Sequence, residues 1–212
     1  MTITYNNTFV NGISLVTGPY EKRGPLSRFF DKTYEDFYFN RPTWEQAESK
    51  LIEESVDMLL GKIGTTRFDI DLFISGDLYE HQHIRKSTIE YINNLFKEIE
   101  NTKIFISPGN HDPILKKSYY STFNWNKNVY IFNNEIKRIE FKDVDIYGFG
   151  FNDFYCSNSN IENLKIENPE KINILIIHGT LNGSTSIEMQ YNPMSMAMLK
   201  QKGFNYIALG HI

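Results

Sequence analysis

The most constraining stretch of this chain is a short apolar run that ends in a Pro-Gly turn, Lys103-Ile-Phe-Ile-Ser-Pro-Gly-Asn-His-Asp112. A continuous apolar run closed by glycine and proline is typical of a buried strand in a parallel sheet. The turn presents an amide, an imidazole and a carboxylate, from Asn110, His111 and Asp112. Because ligands bind beyond the carboxyl ends of strands in open α/β sheets, this pattern indicates a functional site.

Three further apolar runs end in the same way. Each is followed by a residue type that binds metals, beside a glycine: Gly76-Asp77, His178-Gly179 and Gly210-His211. The chain has five histidines, and three of them, counting His111, follow such runs directly. A single histidine after a strand is usually structural, but four strand ends of this kind together predict that their side chains gather at one site.

Composition and charge limit the classes of protein to consider. The chain has 212 residues and a mass of 24.9 kDa, enough for one domain or slightly more. Its net charge of -4 lacks the basic footprint of a chain that binds nucleic acid unaided. Cys156 is the only cysteine, which excludes an internal disulfide and suits a reducing cytosol. Neither a signal peptide nor a membrane-spanning run is evident, so we expect a cytoplasmic protein with no membrane partner.

Apolar periodicity predicts an α/β chain. A helix over residues 43–60 is expected to begin at a capping box with Thr43 as N-cap and to stop at Gly61 or Gly64. Further helices are predicted at residues 84–99 and 193–202. Strands are predicted at residues 13–16, 72–75, 103–107, 129–132, 136–141, 144–149, 173–178 and 206–209, with 136–149 forming an antiparallel hairpin. Turn signals make residues 18–41 irregular.

The gathered side chains suit one kind of chemistry. A carboxylate, an amide oxygen and two imidazoles are suited to Mn, Fe, Zn or Mg. Two such ions about 3.5–4 Å apart would clamp the attacking and leaving oxygens of a phosphoryl displacement, and one would generate hydroxide near neutral pH. His111 is then a candidate for stabilising the transition state or protonating the leaving oxygen. Asp112 is a candidate for orienting that imidazole.

The motif order carries a family resemblance. Gly76-Asp77, Gly109-Asn-His-Asp112, His178-Gly179 and Gly210-His211 resemble the motifs of the calcineurin-like metallophosphoesterases, and residues 71–212 are most similar to the SbcD-type or phosphodiesterase branch. The resemblance implies an αββα sandwich with a mainly parallel sheet and a phosphodiester or phosphomonoester substrate. It implies that Asp77 bridges two metal ions and that His111 is the catalytic histidine. The second metal site would be completed by Asn110, His178 and His211. A nucleic-acid partner is implied by this resemblance alone, and the sequence does not identify a protein partner.

The chain departs from this family's pattern at two places. The family opens with an Asp-x-His motif, and no such triplet occurs here. The family's last motif is Gly-His-x-His, whereas this chain stops at Gly210-His211-Ile212. We therefore expect an incomplete core whose first metal site keeps only Asp77 and whose second site is complete. With only one complete metal site, the expected hydrolytic activity is either weak or absent.

The first third resembles another family. Residues 8–78 are similar to the N-terminal region of the stage V sporulation protein AD family, on Gly18-Pro-Tyr-Glu-Lys-Arg-Gly-Pro-Leu26, Phe30-Asp-Lys-Thr-Tyr-Glu-Asp36, Trp44-Glu-Gln-Ala-Glu48 and Asp69-Ile-Asp-Leu-Phe-Ile-Ser-Gly-Asp-Leu78. This resemblance implies a thiolase-like fold and, as the alternative to hydrolysis, a non-enzymatic role in dipicolinate binding or transport. The two likenesses meet at residues 71–78. We therefore expect a hybrid, with a foreign β-α-β segment over residues 1–70 and the phosphoesterase-like core over residues 71–212.

Some other residues have weaker claims. His81 and His83 form a His-x-His pair, but solvation at the start of a helix explains them. Cys156 lies in a polar loop without a nearby base, so a nucleophile is not indicated. Glu21 is the nearest carboxylate to the place of the missing Asp-x-His, although a surface charge in a turn is the better interpretation. Residues 182–185 form a loop that could line a substrate pocket.

Overall fold

The computed structural model of the protein describes residues 10–181 and 191–211. The predicted loop at residues 182–185 lies outside these ranges. The described chain forms two compact units, one up to Asp69 and the other from Ile70 onward. None of the described helices is both long enough and apolar enough to cross a membrane.

The N-terminal unit is built around a long helix. Its helices are α1, Pro19–Arg23, and the long α2, Trp44–Ile63. Thr43 is the N-cap of α2 as predicted, and its side chain accepts a hydrogen bond from the Gln46 backbone N–H over 3.3 Å. The helix continues through Gly61, contrary to one predicted stop, because a single internal glycine costs only about 1 kcal/mol. It ends at Gly64, whose φ of 67° is the left-handed conformation that glycine adopts at little cost.

A small parallel sheet accompanies α2 in this unit. β1, Val16–Thr17, pairs with β2, Lys32–Thr33, and 3-10 turns lie at Ser27–Phe29 and Arg67–Asp69. The strand predicted at residues 13–16 shares only Val16 with β1. The sequence predicted irregular structure for residues 18–41, since α1 and β2 are too short to produce apolar periodicity. Glu54 of α2 ties the sheet down. Its carboxylate accepts hydrogen bonds from Lys32 Nζ at 2.9 Å and Tyr34 Oη at 2.5 Å.

The second unit contains two sheets. β3, Leu72–Gly76, β4, Lys103–Ser107, and β5, Val129–Ile131, lie side by side in parallel. The other sheet has the order β6, Lys137–Glu140, β7, Val144–Gly148, β8, Ile172–His178, and β9, Tyr206–Gly210. Of its pairs, β6 with β7 is antiparallel and the others are parallel. The predicted hairpin and the mainly parallel arrangement are confirmed. The helices of this unit are α3, Lys86–Glu98, α4, Tyr119–Thr122, and α5, Met196–Gln201.

Alternating side chains divide each strand between two layers of core. Ile104 and Ile106 of β4 pack with α3, whereas Phe105 between them packs towards the second sheet. On β8, Ile176 faces the first sheet, while Ile177 belongs to the core on the far side with α5. The unit is therefore layered helix, sheet, sheet, helix, which confirms the predicted αββα sandwich.

The carboxyl ends of the two sheets are bonded together. Ser107, which closes β4, donates its hydroxyl to the carbonyl of Phe149 after β7, over 2.6 Å. The Phe151 N–H donates to the Pro108 carbonyl, and the Ile114 N–H donates to the Phe151 carbonyl, each over 2.8 Å. These bonds hold the loop after β4 against the segment after β7, so the predicted site residues face one another across the sandwich.

Candidate metal centre

Three of the four predicted ligand side chains converge on the fourth, at atom Nε2 of His178. This nitrogen lies 2.9 Å from Asn110 Oδ1, 3.1 Å from His211 Nδ1 and 3.2 Å from Asp77 Oδ2. Ligand atoms of the three titratable residues all lie within 4.8 Å of one another. A ring nitrogen carries either one proton or one lone pair, so Nε2 of His178 cannot complete hydrogen bonds with three neighbours at once, and hydrogen bonding alone leaves this cluster unsatisfied. A divalent cation would be bound by all four donors, and the donor set fits it chemically.

Two of these residues adopt an unusual backbone. Asp77, directly after β3, has a φ of 46°, and His211, directly after β9, has a φ of 97°. A left-handed backbone is uncommon for residues other than glycine. Strained residues cluster at functional sites, so this geometry supports a functional role for the cluster.

His178 is the buried centre of the group. It is 2% exposed, and the ring of Phe151 packs edge-on against it with centroids 5.4 Å apart. Burial lowers the pKa of His178 to about 4, outweighing the opposite effect of the Asp77 charge. The imidazole is therefore neutral near pH 7, which is the form that binds metal ions.

Gly109 lets the loop after β4 approach the cluster. A Cβ atom at this position would lie 2.3 Å from Asp77 Oδ1 and 2.7 Å from ring atoms of His178. These distances are far shorter than any van der Waals contact. Glycine is therefore required here by close packing against two of the predicted ligands.

His111 stands beside the cluster with its side chain open to solvent. The side chain is 56% exposed, and Nδ1 lies 2.7 Å from Glu80 Oε2. The backbone N–H of His111 donates to Asp77 Oδ1 over 3.2 Å, which joins the histidine loop to a predicted ligand. The hydrogen bond with Glu80 raises the pKa of His111. Glu80 was not among the predicted site residues. Its place three residues after Asp77, on the loop that follows β3, is the feature of the sequence that indicates it.

Asp112 has a different position from the one predicted. It is fully buried and accepts hydrogen bonds from the Leu78 N–H at 2.7 Å, the Gly109 N–H at 2.8 Å and the Tyr120 hydroxyl at 2.5 Å. Burial raises its pKa to about 6 in spite of these bonds. The carboxylate points inward and braces the loops after β3 and β4. The prediction that Asp112 orients His111 is therefore corrected, since Glu80 occupies that place.

The weaker candidates lie outside the cluster. His81 donates its backbone N–H to the His111 carbonyl over 2.9 Å, and its ring lies edge-on to Phe154. His83 and Glu21 are exposed. Burial raises the pKa of the Cys156 thiol, which disfavours the reactive thiolate. Within the described part of the chain, the group of acidic, histidine and cysteine residues that could hold a metal ion consists of Asp77, His178 and His211.

Comparison with known proteins finds two families along the chain. The family model for calcineurin-like phosphoesterases matches residues 50–212. The family model for stage V sporulation protein AD matches residues 1–91, so the two matches overlap. Stage V sporulation protein AD of Bacillus subtilis (strain 168) is 47% identical over 70 residues, which cover 33% of this chain and 21% of that protein. The chain thus spans about one fifth of the length of this curated relative, and the sequence is a hybrid of the two likenesses.

Proposed function

Since the chain belongs to the calcineurin-like phosphoesterase family over residues 50–212, we propose that it hydrolyses phosphodiesters or phosphomonoesters with a bound divalent metal ion. The proposed ligands are Asp77, Asn110, His178 and His211. The observation that supports this proposal is the convergence of the other three donors on His178 Nε2, within 2.9–3.2 Å. Such a metal ion lowers the pKa of a bound water and polarises a phosphoryl oxygen.

The protein's own residues would then divide the remaining work. His111, exposed beside the ligands, would protonate the leaving oxygen of the ester, because its Nε2 is free of the Glu80 contact made by Nδ1. Glu80 would hold that ring in position. Asp112 would keep the two loops together through the backbone N–H groups of Leu78 and Gly109.

We propose that one metal ion is bound, with Mn, Fe, Zn and Mg as the candidates. The donor set contains no thiolate and two imidazoles, which suits these ions. The proposal of a single ion is supported by the described cluster, in which Asp77, His178 and His211 offer ligand atoms within 4.8 Å of one another. A site with one ion lacks the second half of the two-metal clamp, so we expect hydrolysis to be slower than in a binuclear enzyme.

Replacing His178 by alanine is expected to remove metal binding. The wild-type chain should bind about one equivalent of Mn²⁺ or Zn²⁺, because His178 Nε2 is the atom on which the other donors converge. Isothermal titration calorimetry with each ion measures this, and circular dichroism verifies that the variant is folded. His83→Ala is the matched control, since His83 is an exposed histidine of the same unit. A folded His178→Ala variant with wild-type stoichiometry would contradict the proposed ligand set.

A second candidate function follows from the N-terminal likeness. We propose as the alternative that the chain binds dipicolinate without catalysing a reaction, in support of which residues 1–91 match the sporulation family. Calorimetry with dipicolinate in the presence of a metal chelator separates the two candidates. Saturable binding without metal supports the alternative, and its absence leaves hydrolysis as the better proposal.

A further inference from the structure

Two tyrosine rings continue outward from the proposed metal ligands. The ring of Tyr191 lies edge-on to His211 with centroids 5.1 Å apart. The ring of Tyr155 lies nearly parallel to Tyr191, at 14°, with centroids 6.4 Å apart. Tyr155 is 63% exposed, so much of its ring surface is open to a ligand. We call Tyr155 and Tyr191 the aromatic shelf.

Asn192 fixes the aromatic shelf to the site. It is fully buried and has a φ of 41°, a left-handed backbone that asparagine tolerates better than most residues. Its backbone N–H donates to the carbonyl of Cys156, which brings the residue after Tyr191 against the residue after Tyr155. Its side-chain amide donates to the His178 carbonyl and accepts from the Asn160 N–H, each over 2.9 Å. The position of the shelf beside the ligands is therefore built into the fold.

We propose that the aromatic shelf binds the nucleobase of a nucleotide phosphoester whose phosphate lies at the metal centre. This inference rests on the proposed function and names its substrate class. Bases stack on tyrosine faces with little dependence on sequence, because every base has a π-face. The exposed ring, Tyr155, contacts Tyr191, and Tyr191 in turn contacts His211, so one ring separates Tyr155 from the proposed ligand. A planar group must therefore be separated from the phosphorus by a spacer such as a sugar in order to cover it.

The charge of the chain favours a small nucleotide over a polymer. A net charge of -4 gives no general attraction for a polyphosphate backbone. Stacking then has to supply the affinity that phosphate contacts supply in nucleic-acid binders. A mononucleotide ester has one base, which would lie on the aromatic shelf, and one phosphate, which would lie at the proposed metal centre.

The test compares two esters with the same leaving group. Thymidine 5′-(p-nitrophenyl phosphate) carries a base, and methyl p-nitrophenyl phosphate does not. With Mn²⁺ present, we expect Tyr155→Ala to lower the ratio of kcat/KM for the thymidine ester to that for the methyl ester by about fivefold or more. Tyr155→Phe should retain the ratio, because the ring rather than the hydroxyl makes the stack. Tyr91→Ala is the control, since Tyr91 on α3 is equally exposed, at 63%.

A binding measurement separates this inference from the hydrolase proposal. In calorimetry with the metal-loaded chain, the Kd for adenosine 5′-monophosphate relative to that for inorganic phosphate should rise by a similar factor in Tyr155→Ala. A ratio unchanged in both experiments would overturn the aromatic shelf, even if both esters are hydrolysed. If neither ester is hydrolysed but the binding ratio changes, the shelf stands and the proposed hydrolysis fails.

Discussion

Replacing His111 by alanine is expected to lower kcat by about 10²–10⁴-fold while metal binding stays intact, since a positioned general acid contributes a factor of this size. The His111 side chain is not among the donors that meet at His178, and it is 56% exposed where a substrate would approach. Alanine keeps the backbone N–H that donates to Asp77 Oδ1, so this predicted ligand retains its partner. Hydrolysis of bis-p-nitrophenyl phosphate with added Mn²⁺ gives kcat, and calorimetry gives the metal stoichiometry.

Glu80 provides an internal check on this result. Glu80→Gln should lower kcat by about 10–100-fold, a typical cost of removing the partner that orients an imidazole. Combined with His111→Ala, the same substitution should have no further effect, because Glu80 acts only through that ring. His81→Ala serves as the control, since His81 contacts the His111 loop through its backbone. Additive losses in the double variant, or wild-type kcat in His111→Ala, would remove His111 from the proposed mechanism.

The convergence of the ligand side chains is the part of the site that the sequence predicts. Asp77, His178 and His211 each follow an apolar run and lie beside a glycine. This pattern can be recognised from a few neighbouring residues of the sequence. Parallel pairing gathers the strand ends within each sheet, and packing of the two sheets then brings Asp77 against His178 and His211. Register confirms the pairing, with Gly76 opposite Ser107 and His178 opposite Gly210.

The partners of these residues depend on contacts that no local pattern encodes. Asp112 receives hydrogen bonds from Leu78, 34 residues earlier, and from the Tyr120 hydroxyl. The sequence predicted that Asp112 contacts its neighbour His111. In the structure, the Asp112 side chain is buried, whereas the His111 side chain is exposed to solvent. The aromatic shelf was missed for the same reason, because Tyr155 and Tyr191 are brought together by the buried Asn192 rather than by spacing.

The N-terminal unit shows a second limit of sequence patterns. Its long helix was predicted from apolar periodicity and a capping box. The helix and its N-cap, Thr43, are both confirmed. Its strands are two residues each: β1 overlaps the strand predicted at residues 13–16 only at Val16, and β2 lies in the stretch predicted to be irregular. Strands so short carry no reliable period-2 signal.

Gly109→Ala is expected to weaken metal binding on the order of 100-fold or more, a loss at least as large as that caused by disturbing ligand-supporting residues. The added Cβ would lie 2.3 Å from Asp77 Oδ1, and 2.7 Å from His178, so one of the two predicted ligands must move. We also expect a loss of about 1–3 kcal/mol in the free energy of unfolding from overpacking. Calorimetry with Mn²⁺ and urea denaturation measure the two effects.

The same substitution at a helical glycine provides the matched control for Gly109→Ala. A Cβ at Gly61, inside α2, meets no atom within 4 Å. Gly61→Ala should therefore leave metal affinity unchanged and raise the free energy of unfolding by about 0.5–1 kcal/mol, because alanine is the better helix former. If Gly109→Ala loses stability as expected but binds Mn²⁺ as tightly as Gly61→Ala, the added Cβ disturbs the packing against Asp77 and His178 without any effect on the metal ion. The four-donor cluster would then not be the metal site, and the proposed hydrolase would lose its physical basis.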